Sequence, residues 1–230
     1  MKKINIAIDG PAGAGKSTVA KIVAERLDYV YVDTGAMYRA LTWKALQDQV
    51  DVHDEEALSA LLDRIRIQLT PTEHGQKVFV NNDDVTEQIR ERSVTNNVSF
   101  VAGHQKVRQE MVRIQQTMAK DKGVVMDGRD IGTHVLPDAE VKIYLSASLK
   151  ERAKRRHAEL KNRGEEASLD KVEQEIRLRD ERDSGRTFAP LEKAADAIEL
   201  NSTFLTVNEV VEKIVHLAKT CIYSEREVRP

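Results

Sequence analysis

Between Gly10 and Thr18 the chain reads GPAGAGKST, and no other stretch constrains its fold as tightly. Gly10, Gly15, Lys16 and Ser17 meet the phosphate-loop spacing in full, with Gly13 as a further permissive position among Pro11, Ala12 and Ala14. Glycines at this spacing let successive backbone N–H groups converge on phosphate oxygens, and a helix starting at the loop's end adds the positive end of its dipole. The loop therefore demands a strand before it and a helix after it. Ile4, Ile6, Ala7 and Ile8 supply an apolar run ending at Asp9. Lys16 to Leu27 supplies a helical stripe of Val19, Ile22, Val23 and Leu27. In such a loop Lys16 reaches the outer phosphates and the Ser17 hydroxyl holds Mg²⁺. The donor is thus a nucleoside triphosphate, but switches, motors and kinases share this loop, and it does not say what receives the phosphoryl group.

The pattern continues as alternating strands and helices. Tyr29 to Asp33 reads as a strand leading into TGAMYRALTWKALQ, whose Met37, Leu41 and Leu46 form a helical stripe. Strand patterns resume at GVVMDGRD, AEVKIYLSAS and DAIELNST, with helices predicted from about Leu149, from Leu169 to Asp183, and over TVNEVVEKIVHLAK. In that last helix Val207, Val210, Val211, Ile214 and Leu217 are the predicted buried stripe, and the tail after Lys219 is predicted loose. This order specifies an α/β fold of three layers around a central parallel sheet. Between Arg64 and Arg90 it is interrupted by IRIQLT and KVFVN, read as an antiparallel hairpin with Pro71 and Gly75 as turn residues, and so as an inserted module. A helix, a break near Gly103 and a longer helix follow.

Composition excludes several functions. Lys and Arg total 36 against 38 Asp and Glu, a formal charge of -2, which gives no broad attraction for a polyanionic backbone. An aromatic content of 4% offers no stacking platform for single strands, so no nucleic-acid partner is expected. No apolar run approaches the ~20 residues of a membrane span, and Asp9 interrupts the first apolar run too early for a signal peptide. The single Cys221 cannot form an internal disulfide and reads as a bystander. The cytoplasm is the expected compartment.

In an open parallel sheet, ligands bind at the carboxyl ends of the strands. Two charged stretches fall there, VYVDTGAMYR and VVMDGRDIGT. Arg39 and Arg129, converging on one anion, would form a planar-fork phosphate clamp. Taken alone, Asp33 reads as a helix cap, as does Thr34, and Asp130 as an ion-pair partner of Arg129; their shared strand-end position favours a site. Arg179, Asp183 and Arg186 lie on one face of a predicted helix, where alternating charge is ordinarily a solvated surface. Arg152, Arg155, Arg156 and Arg163 make a basic helix able to close over a triphosphate.

The ordered set GPAGAGKST, DTGAMYR, NNVSFVA, KVRQ, DGRDIGT, ERAKRR, RDERD and APL closely resembles the bacterial cytidylate kinases, a family of nucleoside monophosphate kinases, from the first strand to about Lys219. The resemblance implies a P-loop NTPase-type core over 1–62 and 124–219 and a monophosphate-binding insert with a small antiparallel sheet and helices over 63–123. It further implies a helical lid over 150–167 and a polar tail over 220–230. It implies Arg39 and Arg129 on the acceptor phosphate, Thr34 near the nucleotide, and Ser99, Arg108 and Asp130 reading the base. Arg179 and Asp183, with Arg186 nearby, would meet sugar or phosphate, and Arg152 and Arg156 the transferring phosphoryl group. Mg²⁺ is expected on Ser17, with Asp33 reaching it through water.

That set suits a cytosine acceptor. Asp130 can accept from the exocyclic amine of cytosine but would face a carbonyl in uracil, a mismatch that costs about 1–3 kcal/mol or more. Transfer needs no general base, because arginines, Lys16 and Mg²⁺ spread the charge of a loose transition state. The expected substrates are ATP with CMP or dCMP, and the expected state is a monomer. A P-loop kinase for another acceptor, such as UMP or shikimate, predicts activity independent of the cytosine amine. A nucleotide-dependent switch predicts slow hydrolysis without acceptor stimulation, and the chain carries no guanine-reading NKxD motif.

Overall fold

The computed structural model describes residues 3–72 and 75–224. Its centre is a five-stranded parallel sheet built from β1 (Asn5–Asp9), β2 (Val30–Asp33), β6 (Val124–Gly128), β7 (Val141–Ser146) and β8 (Ile198–Asn201), in the order β2-β6-β1-β7-β8. The strands are rich in Val and Ile because the inner ones are covered on both faces. Ile4, Ile6 and Ile8 pack with Val125 and Ile143 against α1 (Lys16–Leu27) and α8 (Val207–Ser224). Ala7, Val124 and Met126 point the other way, onto Ile131, Val135 and Leu136. Each fully buried aliphatic side chain contributes about 1.5–3 kcal/mol, so the alternation fixes the register of the layers. A structured crossing at β7 also requires glycine: Gly10 has φ 146°, and a Cβ there would lie 2.0 Å from the Leu145 carbonyl oxygen.

A second packed cluster joins α2 (Thr34–Gln47) and α3 (Glu55–Leu62) to a small antiparallel sheet of β3 (Ile67–Thr72), β4 (Gly75–Val80) and β5 (Asp83–Asp84), and to α4 (Arg92–Val101) and α5 (Gln105–Met118). Its residues include Met37, Leu41, Leu58, Val78, Val98 and Met111, so it draws on α2 and α3 as well as on residues 63–123. The hairpin expected here is present. Pro71, however, lies within β3 opposite Gln76, and Gly75 opens β4 opposite Thr72; residues 73–74 lie outside the described residues. Strand β3 is an edge, where a missing N–H costs no ladder bond. Helix α3 was not anticipated, although Leu58, Leu61 and Leu62 and the Asp54 cap carry its signal.

Helices α6 (Leu149–Asn162) and α7 (Leu169–Ser184) pack on each other through Ala153, Leu160, Val172 and Ile176. Three sequence expectations change at the last helix. It runs on to Ser224 instead of loosening after Lys219, because Ala218 and Ile222 continue the buried face. Val207 is exposed, standing in the helix's first turn, and Leu217 is only half-buried. The rest of the predicted tail, 225–230, lies outside the described residues.

Candidate active site at the carboxyl edge of the sheet

The five strands end on one edge at Asp9, Asp33, Gly128, Ser146 and Asn201. A cleft of about 1230 Å³ opens there, between the phosphate loop, the small sheet and the α6–α7 pair. Its donor half is the loop itself. Gly15, at φ 92°, turns the chain into α1, so the unpaired N–H groups of that helix's first turn, from Lys16, Ser17 and Thr18 onward, lie at the cleft. Lys16 is buried and donates to the Pro11 carbonyl at 2.8 Å. Burial, followed by the nearby Arg129, pushes its ammonium down to about 7, against the pull of Asp127 and Asp9. Two further loop carbonyls are held from α6: Ala12 accepts from Arg152 at 3.0 Å and Ala14 from Arg155 at 3.4 Å.

Beside Lys16 stands Asp127, in register with Asp33 on the adjacent strand. The Ser17 hydroxyl donates to Asp127 Oδ2 and the Tyr31 hydroxyl to Oδ1, each at 2.9 Å, while Thr34 Oγ1 donates to the Asp127 carbonyl at 2.7 Å. That last bond requires Gly128, since a Cβ there would lie 2.7 Å from Thr34 Oγ1. Burial, then the Asp33 charge, pushes the Asp127 carboxyl up to about 6. Asp33 itself is otherwise engaged: Oδ1 caps α2 through Ala36 N at 2.8 Å and Oδ2 pairs with Arg39 Nη2 at 2.9 Å. Burial opposes its charge, but Arg39 and the Ala36 N–H outweigh burial and hold it below the usual carboxylate range. The carboxylate at the Ser17 hydroxyl is therefore Asp127. A hydroxyl and a carboxylate at the loop's helix suit a hard divalent cation, which takes its remaining ligands from water and phosphate. Among the described residues no group of three or more His, Cys, Asp or Glu forms an all-protein metal site.

The acceptor half is a nest of buried ion pairs. Asp183, almost fully buried, accepts from Arg129 Nε at 2.9 Å and from Arg186 Nη2 at 2.5 Å. Arg108 brings Nη2 to 2.5 Å from Asp130 Oδ2 and donates Nη1 to the Ala102 carbonyl at 2.9 Å. The Arg108–Asp130 approach is a charge contact without hydrogen-bond alignment, so both atoms lack a hydrogen-bond partner. The same holds for Arg108 Nε, Tyr38 Oη, Arg186 Nε, Arg39 Nε and Arg179 Nε. Buried polar atoms are nearly always hydrogen-bonded in folded proteins, so this concentration marks a place built for a polar ligand. Arg179 is pushed down to about 10 by burial and by Arg129, with Arg39 and Arg156 adding to the repulsion that Asp183 relieves. Four arginines around one spot suit an anion of more than one charge.

The structure places part of the expected set on the cleft and the rest away from its lining. Arg39, Ser99, Arg129, Arg156 and Arg179 line the cleft, whereas Thr34, Arg108, Asp130, Asp183 and Arg186 are not among its lining residues, Asp183 meeting the lining through Arg129. Ser99 accepts from Arg182 at 3.4 Å. Arg152 is held by Asp180 at 2.6 Å and by the Ala12 and Ala147 carbonyls, so it braces the loop, and Arg155 stands nearer the loop's open side. Sequence reasoning passed over Asp9, Gln76 and Arg90. Asp9 carried the same strand-end signal as Asp33. Gln76, whose amide bonds the Tyr31 carbonyl at 2.7 Å, and Arg90, which acts on the Asp33 charge, arrive from the small sheet and the 3₁₀ turn after it, with no signal in spacing.

A family model described as cytidylate kinase matches residues 6–220. The chain is 61% identical over 216 residues to a cytidylate kinase of Geobacillus kaustophilus, covering 94% of this chain and 96% of that one. It is 58% identical over 225 residues to that of Anoxybacillus flavithermus, covering 98% of each, and 57% identical over 216 residues to that of Bacillus cereus strain B4264, covering 94% and 96%. Among solved structures, an uncharacterized protein from Eubacterium ventriosum superposes with a TM-score of 0.51 at 16% identity, covering 95% of this chain and 99% of that one, a likeness of fold.

Proposed function

The chain belongs to the cytidylate kinase family and is an ATP-dependent phosphotransferase acting on CMP, and we propose that the nest of unpartnered buried polar atoms beside the phosphate loop is where CMP or dCMP is held. In this arrangement the phosphate loop and Lys16 hold the ATP phosphates, with Ser17 and Thr18 at the helix start. The acceptor phosphate lies among Arg39, Arg129 and Arg179. Asp130 accepts from the cytosine amine, with Arg108 and Ser99 on the rest of the base edge, and Asp183 and Arg186 face the sugar. Thr34 stands close to the acceptor phosphate. A monomer working in the cytoplasm is the accompanying proposal; no described helix is long and apolar enough to cross a membrane.

An oxygen of the CMP phosphate attacks the γ-phosphorus in line, the bond from that phosphorus to the β-bridging oxygen breaks, and ADP leaves with the electron pair. Arg129, Arg156 and Lys16 face the charge that spreads over the transferring group, and no side chain needs to take a proton. Ser17 and Asp127 would hold Mg²⁺, which would supply positive charge against that of the phosphates. Asp33 then acts mainly by orienting Arg39. The insert over 63–123 supplies Ser99, Arg108 and the small-sheet wall, and α6, which overlaps the lid over 150–167, supplies Arg155 and Arg156. Closure of both would exclude water from the transfer.

ADP formation with ATP and each of CMP, dCMP, UMP, AMP and GMP tests this reading. Strong stimulation by the cytidine nucleotides alone is expected; equal stimulation by UMP would remove Asp130 from base reading. A switch would show no acceptor stimulation at all.

A further inference from the structure

We propose that Asp9 is a positioning residue for base discrimination: it caps the turn after Asp130 from another strand, and so frees the Asp130 carboxylate to face the acceptor. The proposal rests on the assignment of Asp130 to cytosine recognition. Asp9 ends β1 one residue before the phosphate loop and is nearly fully buried. Its Oδ1 accepts from Ile131 N at 2.8 Å and its Oδ2 from Gly132 N at 2.7 Å. Those two N–H groups open the wide turn Ile131–Val135, where helical N–H groups have no partner within the turn.

An aspartate at the start of a helical turn ordinarily satisfies such groups with its own side chain. Asp130 occupies that position, and its side chain makes no capping bond. Its main-chain carbonyl still serves the turn, accepting from His134 N at 2.9 Å and Val135 N at 3.1 Å. Its carboxylate instead meets Arg108 at 2.5 Å, with Oδ2 left without a hydrogen bond. Two aspartates thus divide work that one would otherwise do. Burial pushes the Asp9 carboxyl up to about 7, against the pull of these two N–H groups; accepting from both, it is a directional clamp that spans the 122 residues between the strand that leads into the donor loop and the turn that follows Arg129 and Asp130. Without it, Ile131 N and Gly132 N are buried donors in need of an acceptor, and the carboxylate adjacent to them in sequence is that of Asp130.

The test is the ratio of kcat/KM for CMP to that for UMP in wild type, D9A, D9N, D130A and D9A/D130A, with ATP affinity measured alongside. In D9A the CMP preference is expected to fall at least about tenfold; the ATP KM rises alike with either acceptor, because Lys16 loses the pull of Asp9, and so leaves the ratio unaffected. D9N, which keeps one acceptor oxygen, is expected to fall between. D9A is expected to add little to the lost preference in the D130A background, because it acts through that side chain. An unchanged CMP preference in folded D9A or D9N, or additive losses in the double variant, would overturn the proposal. D9N preserves the shape of the side chain, so it carries the comparison if D9A does not fold. Wild type lacking any CMP preference would defeat the assignment of Asp130 instead, a result distinct from the failure of Asp9.

Discussion

Arg108 and Asp130 approach to 2.5 Å where almost no solvent reaches, 1% and 6% exposed at their side chains. Each is the other's charge partner, yet neither contact atom is hydrogen-bonded. Removing one partner of such a pair leaves the other charge buried, a loss of about 3–5 kcal/mol in stability. Asp130→Ala is therefore expected to lower the thermal midpoint as well as to raise the CMP KM by about a hundredfold, with the ATP KM little changed. Saturating CMP should restore much less stability to this variant than to wild type. Equal losses for CMP and ATP would make Asp130 purely structural.

Tyr38 contributes a buried hydroxyl with no hydrogen-bond partner, on a ring whose centroid lies 5.5 Å from the Arg108 guanidinium carbon. Deleting an unpaired hydroxyl costs the free protein nothing, whereas deleting one that meets the nucleotide costs about 1 kcal/mol of binding. Tyr38→Phe should keep the unliganded melting temperature and weaken CMP about fivefold in calorimetric titration. CMP affinity equal to wild type would place the hydroxyl outside the ligand's reach.

Asp127 and Asp33 are neighbours across two strands with different partners, Ser17 for one and Arg39 for the other. Asp127→Asn should raise the Mg²⁺ concentration for half-maximal activity at least about tenfold, as the carboxylate is the charged ligand of the pair. Asp33→Asn should act on the CMP KM through Arg39. Because Asp127 is protonated below about 6, activity at limiting Mg²⁺ should fall as pH drops through that value. A common Mg²⁺ dependence for both variants would mean that the two carboxylates share the ion.

Lys16 is held down to about 7 in the free protein, so it carries its charge below that pH and loses it above. ATP affinity should therefore weaken as pH rises from 6 to 8, with proton uptake on binding that calorimetry in buffers of different ionisation heat detects. Lys16→Met should bind ATP weakly, without that proton uptake, and should abolish transfer while leaving the fold intact. Proton uptake unchanged in Lys16→Met would assign it to another group.

Much of this was legible in one dimension because the physics involved is local. The phosphate loop is a spacing of glycines followed by a helix start, and the strands around it alternate aliphatic faces, so Gly10–Thr18 and the parallel sheet follow from neighbours in sequence. The charged residues at strand ends could be picked out by the same rule, and Asp33 and Arg129 do line the cleft, while Asp130 pairs with Arg108 outside its lining. Pro71 shows the limit: its turn propensity is real, but an edge strand tolerates the missing donor, and pairing with β4 won. The end of α8 shows another, since a polar-looking tail became helix once Ala218 and Ile222 had a sheet to pack on.

The sequence by itself determined the donor grip, the layered α/β order and the set of side chains able to bind a nucleotide acceptor. It could not determine how those side chains pair. That Asp9 caps a turn 122 residues away, that Ser17 meets Asp127 while Asp33 meets Arg39, and that Arg152 braces the loop were decided only when the strands came into register. Hydrogen bonds and contact ion pairs need their atoms within about 3–4 Å and have no period along the chain, so their partners are fixed by packing rather than by spacing.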